Sequence, residues 1–216
     1  MPILKVLLGD DHRIVAEALR SMLSNSFDVI GLVHNGHTLI AEVMRLRPDV
    51  VVSDIFMPEL NGLDALRHLR RKGVHTRFIF LTMQADATLA AEAFRAGASG
   101  FVSKEDAGEE LMAAIREAAE GRFYLTRSLG PHMIDIVMDA RSSKVSGLQE
   151  LSPRQREVLQ LLAEGKTVKE AAAIMGISPR TVETHKYEMM DNLQIKTTVE
   201  LIRWALTLNL VPSKAD

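Results

Sequence analysis

Three aspartates, a threonine and a lysine fall at comparable places in the chain. Asp10 and Asp11 close the run "ILKVLLGDD" (3–11), Asp54 closes "DVVVSD", Thr82 closes "RFIFLT" and Lys104 closes "SGFVSK". Carboxylates gathered in one cleft repel one another unless a cation sits among them. A hard divalent ion such as Mg²⁺, held by oxygen ligands and some retained water, would resolve that repulsion. Carboxylate, cation, ammonium and hydroxyl then form a phosphoryl-handling set. The ion and Lys104 neutralise the oxygens of a transferring phosphoryl group, Thr82 hydrogen-bonds one of them, and Asp54 attacks in line as nucleophile. Each residue alone has an ordinary reading: an acid after a strand is often a helix N-cap or turn former, and a lone lysine is a solvated charge. Their joint occurrence at strand ends carries the chemistry.

That occurrence requires elements that bring the five residues together. Over the first 120 residues, short β-branched runs alternate with stretches of helical period: "ILKVLLGDD" with "RIVAEALRSMLSNS", "FDVIGLV" with "HTLIAEVMRLR", "DVVVSD" with "LDALRHLRRKG", "RFIFLT" with "ATLAAEAFRAG", and "SGFVSK" with "AGEELMAAIREAAEG". Five strands, each followed by a helix, predict a parallel sheet with right-handed crossovers and helices on both faces. The runs are apolar on both sides, as burial between two helix layers demands. The expected fold is α/β, a doubly wound five-stranded sheet of flavodoxin-like type, whose ligands sit at the carboxyl ends of the strands.

Composition limits the rest. At 216 residues with 47% hydrophobic content, the chain can bury two small cores. A net charge of -2 excludes a molecule-wide polyanion-binding surface, so any nucleic-acid contact must be local. With no cysteine there is neither a disulfide framework nor thiolate chemistry. No apolar segment approaches the roughly 20 residues of a membrane span, and no signal-peptide pattern opens the chain. A soluble, cytoplasmic protein is expected.

The motifs "GDDH", "VVSDIFMPELNG", "FLTM" and "GFVSK" resemble the receiver domain of two-component response regulators over about residues 3 to 122. The resemblance implies that Asp54 is the phosphoacceptor and that Asp10 and Asp11 hold Mg²⁺, joined by Asp54 and the backbone carbonyl of Phe56. It also implies that Thr82 and Lys104 are the conserved hydroxyl and lysine, that Phe101 is the switch aromatic, and that Gly62 is the loop glycine. Glu105 departs from the pattern, since proline commonly follows the lysine. An aspartate-nucleophile phosphatase of the haloacid dehalogenase type would need a second Asp two residues after the nucleophile, where Phe56 stands.

The segment 123–149 reads as a linker. Gly130, Pro131, Ser142, Ser143, Ser146 and Gly147 punctuate it, and "HMIDIVMDA" predicts a short helix ahead of a hinge at 141 to 149. From residue 150 to 216 the pattern turns wholly helical: "SPRQREVLQLLAEG", "TVKEAAAIMG", "SPRTVETHKYEMMDNLQI" and "TTVELIRWALTLNL". Two of these open with Ser-Pro, an N-cap followed by proline at the first helical position, and two end in glycine. A short helix, the turn "MGIS" and a longer helix make a helix-turn-helix within an all-α four-helix domain, the second helix being the one that enters the major groove. The run "LSPRQREVLQLLAEGKTVKEAAAIMGISPRTVETH" is similar to the LuxR-type helix-turn-helix, so the whole chain resembles the NarL/FixJ class of response regulators.

Helical spacing places Val182, Met189 and Leu193 on the core side and Arg180, Thr184, Tyr187 and Asp191 on the other, flanked by Glu183 and Glu188. Thr184, Tyr187 and Glu183 suit base edges, whereas Lys169, Arg180, Thr181 and Lys186 suit phosphates. His185 is expected to be packed or bonded to backbone. From Leu151 onward, nine basic residues face eight acidic ones, so monomer affinity for DNA should be modest. A homodimer would double the contacts, and the last helix, with Val199, Ile202, Leu206 and Trp204, is the expected dimer surface, although packing within the domain takes some of these. The resemblance implies a transcription regulator without turnover activity, switched when a sensor histidine kinase phosphorylates Asp54, drawing Thr82 inward so that Phe101 follows. Two alternatives stand beside it: a phosphorylation-independent regulator and a protein-interaction module that retains the receiver fold.

Overall fold

Three valines and leucines in a row cannot be wetted on either side, and the strands built from them are buried accordingly. A computed structural model describes residues 3–129 and 151–207, which fall into an α/β unit and a helical unit. In the α/β unit β1 (Lys5–Gly9), β2 (Asp28–Val33), β3 (Val50–Ser53), β4 (Arg77–Thr82) and β5 (Gly100–Ser103) alternate with α1 (Arg13–Leu23), α2 (Gly36–Leu46), α3 (Gly62–Arg71), α4 (Ala87–Arg95) and α5 (Ala107–Ala119). All pairings are parallel. The order is β2-β1-β3-β4-β5-β6, the doubly wound arrangement expected.

The sheet has six strands and not the expected five. The sixth, β6 (Tyr124–Leu125), lies in the segment read as linker. Gly121 turns the chain out of α5 with φ +83°, a left-handed backbone that glycine adopts without a Cβ clash. The Tyr124 and Thr126 amides then donate to the Ser99 and Phe101 carbonyls at 3.1 and 2.8 Å, which pairs the outer edge of β5. The expected helix over "HMIDIVMDA" and the hinge at 141–149 lie outside the described residues.

Under the sheet, one core joins Val6, Leu8, Val50, Val52, Ile79, Leu81 and Val102 to Leu19 and Leu23 of α1 and Leu111 and Ile115 of α5. At about 25 cal/mol per Å² of apolar surface, full burial of each such side chain is worth about 2 kcal/mol before entropy is counted. Caps set the helix starts where the sequence supplies them. The Asn35 side chain accepts from the Thr38 amide at 2.8 Å and that of Asp86 from the Leu89 amide at 2.9 Å.

The helical unit consists of α6 (Pro153–Ala163), α7 (Val168–Met175), α8 (Pro179–Asn192) and α9 (Thr198–Thr207). Ser152 with Gln155 and Thr167 with Glu170 form capping boxes, and Ser178 caps α8. Gly176 ends α7 at φ +65°, opening the tight turn into α8. Val158, Leu161, Ala171, Met175, Val182, Met189, Leu201 and Ala205 form the core, with Leu193 and Trp204 packed against it. Among the described residues, no helix is long and apolar enough to cross a membrane.

Candidate functional site

Each chemical residue at the sheet rim sits where a strand runs out of apolar residues. The Asp54 amide donates to the Gly9 carbonyl at 2.7 Å and the Asp10 amide to that of Val33 at 3.0 Å, so both carboxylates are held by extensions of the strand pairing. Their side chains are almost wholly buried. The Lys104 ammonium comes from the turn after β5 and stands between them, 2.5 Å from Asp54 Oδ2 and 2.7 Å from Asp10 Oδ2. The other Asp54 oxygen, Oδ1, accepts from the Phe56 amide at 3.1 Å. Burial pushes the Asp54 carboxyl above the usual carboxylate range against the pull of Lys104, and Asp10 adds to the rise. Burial alone would lower the Lys104 ammonium, but Asp54 and Asp10 outweigh it and hold that group above its ordinary value.

One ligand atom from each of Asp10, Asp11, His12 and Asp54 lies within 4.8 Å of the others. Three carboxylates face one ammonium there, and Asp11 Oδ1 is buried without a hydrogen-bond partner. An orphaned carboxylate oxygen beside two more acids fits a hard divalent cation, which would satisfy it and offset the remaining negative charge. The donor set of Asp10, Asp11 and Asp54 is thus suited to Mg²⁺.

Thr82 is fully buried at the end of β4, opposite Ser103, and its Oγ1 accepts from the Gln84 amide at 3.3 Å. Phe101, in β5 between Phe80 and Leu125, is also fully buried. Neither group has to move to leave solvent. Gly62 is required by close approach: a Cβ on it would stand 2.3 Å from the Asp54 carbonyl oxygen. Glu105 sits in a single helical turn with its amide toward Ser103 Oγ at 3.3 Å, and no cis peptide occurs among the described residues.

Sequence reasoning passed over two histidines here. His12, next to the acidic pair, belongs to the cluster itself. His34, at the end of β2, places Nδ1 2.7 Å from the Asp10 carbonyl, so Nδ1 carries the proton and pins that backbone.

The helical unit presents a different surface. Val182 and Met189 of α8 are buried, while Arg180, Thr181, Glu183, Thr184 and Tyr187 are exposed and Lys186 is half-buried; Lys169 of α7 is exposed as well. The Thr184 hydroxyl donates to the Arg180 carbonyl at 3.0 Å. The Lys186 ammonium stands 4.5 Å from the Tyr187 ring centroid, a cation–π contact between two residues the sequence suggested separately. His185 faces Glu188 at 3.6 Å, too far for a hydrogen bond. On α9, Val199 is 60% and Leu206 38% exposed, whereas Leu201 and Ala205 are in the core.

Two family matches divide the chain as the architecture does. Residues 6–116 match the response regulator receiver domain, and residues 149–205 match the bacterial regulatory proteins of the luxR family. The transcriptional regulatory protein MctR of Rhizobium johnstonii is 32% identical over 97% of this chain and 96% of its own length. The nitrate/nitrite response regulator NarL of Escherichia coli K12 is 30% identical over 92% of this chain and 93% of its own. Among solved structures, RcsB from Salmonella enterica serovar Typhimurium, bound to promoter rprA in the presence of the phosphomimetic BeF3-, is 25% identical with a TM-score of 0.60, covering 94% of this chain and 98% of that one.

Proposed function

Because the chain belongs to the response regulators that join a receiver domain to a LuxR-type DNA-binding domain, and so regulates transcription without being a turnover enzyme, we propose that a histidine kinase switches it by phosphorylating Asp54. The observation that carries the proposal is Lys104 held between Asp54 and Asp10 with the orphaned oxygen of Asp11 beside them. The receiver takes residues 1–125, so that β6 belongs to it, residues 126–149 link it onward, and residues 150–216 read DNA. The work is cytoplasmic.

The rim residues divide the chemistry. An Asp54 oxygen attacks the phosphorus in line. The bond from phosphorus to the kinase imidazole nitrogen breaks, and its electron pair stays with the imidazole, which takes up a proton. Lys104, already fixed at 2.5 Å, offsets charge on the phosphoryl oxygens as Asp54 loses its own negative charge to the new ester. The Thr82 hydroxyl donates to one of those oxygens. Asp10, Asp11, Asp54 and the Phe56 carbonyl would hold Mg²⁺, which when bound would supply further charge neutralisation to the phosphoryl group. With Thr82 engaged, the buried ring of Phe101 repacks and biases a two-state equilibrium of the receiver.

The reading surface is the outer side of α8, where Thr184, Tyr187 and Glu183 face base edges and Lys169, Arg180, Thr181 and Lys186 face phosphates. The exposed Val199 and Leu206, with Ile202 on the same stripe, form a homodimer surface that doubles these contacts on a palindromic site. The test is the intact mass after acetyl phosphate treatment with and without Mg²⁺, followed by promoter-DNA binding of the treated protein. Mg²⁺-dependent gain of one phosphate by the parent, none by Asp54→Asn, and tighter DNA binding only in the parent are expected. A parent that gains no phosphate under any donor sinks the proposal.

A further inference from the structure

His12 directly follows the acidic pair and caps the start of α1 with its backbone carbonyl, yet its side chain does no work for that helix. Its side chain makes no capping hydrogen bond and is 68% exposed. Its backbone N–H donates to Asp10 Oδ1 at 2.9 Å, which holds the His12 main chain beside that carboxylate. We propose that the His12 imidazole is a further ligand of the cation held by the acidic cluster, and that this nitrogen donor moves the site's preference from Mg²⁺ toward transition metals such as Mn²⁺ and Co²⁺. The inference rests on the reading of Asp10, Asp11 and Asp54 as a cation site.

Spacing is the first argument. His12 Nδ1 stands 2.9 Å from Asp11 Oδ1 and 3.5 Å from Asp10 Oδ1. Adjacent ligands on an octahedral ion with bonds of about 2.1 Å stand about 3.0 Å apart. The nitrogen is therefore at the separation of a neighbouring ligand in one coordination sphere. The second argument is orientation. At 2.9 Å an imidazole pairing with Asp11 would align a proton on Oδ1, but that oxygen is buried with no hydrogen-bond partner. Two donors that face each other at this distance without a shared proton suit a shared cation. The third argument is division of labour. Lys104 takes Oδ2 of Asp10 and Oδ2 of Asp54, while Oδ1 of Asp10 faces His12. The ammonium and the imidazole thus work on different carboxylate oxygens.

A chemical consequence follows. Carboxylate and carbonyl oxygens suit Mg²⁺, and an imidazole adds affinity for first-row transition ions without adding charge. His12 then acts on metal identity and leaves Asp54 its nucleophilic role.

The experiment uses the full chain stripped with chelator, titrated calorimetrically with Mg²⁺ and Co²⁺, and examined with Mn²⁺ by electron spin-echo spectroscopy. The parent is expected to bind Co²⁺ more tightly than Mg²⁺ and to show nitrogen modulation on Mn²⁺. His12→Ala is expected to lose about tenfold in Co²⁺ affinity, keep its Mg²⁺ affinity within about twofold, and lose the modulation. His12→Gln, which offers an amide oxygen, should leave the modulation absent. Equal Co²⁺ affinity in parent and His12→Ala, or a parent without nitrogen modulation, overturns the role of His12 and leaves the acidic site standing. A parent that binds none of the three ions overturns both the inference and the cation reading beneath it.

Discussion

The rim of the parallel sheet and the outer face of α8 both carry chemical side chains, but the fold treats them in opposite ways. At the rim, Asp10, Asp54 and Lys104 are buried, and each is placed by a strand end whose backbone is already paired. On α8, Arg180, Glu183, Thr184 and Tyr187 stand in solvent. The helix sets only the direction in which they leave, and the partner decides which contact each one makes. A buried set is over-determined, so removal of one member should be close to all-or-none. An exposed face spreads its contribution, so removal should be graded.

The largest expected effect breaks the rim outright. Asp54→Asn should gain no phosphate from acetyl phosphate under any Mg²⁺ concentration, read as intact mass, because the amide cannot act as the nucleophile. Next comes Lys104→Met. Loss of one preorganised charge should slow phosphorylation by about 10² to 10³-fold. It should also destabilise the metal-free protein by about 3 kcal/mol, since two buried carboxylates lose their partner. Quench-flow mass analysis and denaturant titration measure the two. Phosphorylation of Lys104→Met at the parent rate would show the rim to be no more demanding than a surface.

Effects on α8 should be smaller and divisible. Tyr187→Ala is expected to weaken binding to an operator by about 1–2 kcal/mol, roughly five- to thirtyfold. Lys186→Ala should lower the slope of affinity against salt by about one counterion. Because the Lys186 ammonium lies over the Tyr187 ring, the double variant should fall short of the sum of the two losses. Strict additivity across a salt titration would mean that the contact plays no part in reading DNA.

The same contrast explains what the residues disclosed before any coordinates. A strand buried on both faces is an unbroken apolar run, so its end is marked by the first one or two polar residues. That is why Asp10, Asp54, Thr82 and Lys104 could be placed on one rim. Ser-Pro starts and glycine ends likewise bounded α6, α7 and α8. What escaped was built from single backbone or lateral contacts. β6 is two residues long and has no period to read; it exists because β5 has an edge to pair. The reason for Gly62 lies in a carbonyl eight positions away. His12 carries no periodicity, and the stacking of Lys186 on Tyr187 depends on rotamers that spacing does not fix.

The smallest expected effect concerns the charge on Asp54 itself. Its carboxyl is raised in the folded protein by burial, against the pull of Lys104. Between the unfolded and folded values the native state therefore holds more proton than the unfolded chain, and stability falls as pH rises through that window. Above both values the penalty is fully present, so neutral pH is where the metal-free site costs most. Asp54→Asn removes the titrating group and with it this slope. In chelator at neutral pH the variant should melt above the parent, and the gap should close as pH drops below the unfolded value. Added Mg²⁺ should stabilise the parent more than the variant, because the ion offsets the charge that burial penalises. A variant that melts below the parent at neutral pH in chelator would mean that Lys104 over-compensates Asp54, and that the rim is stabilised by its charges and not held together in spite of them.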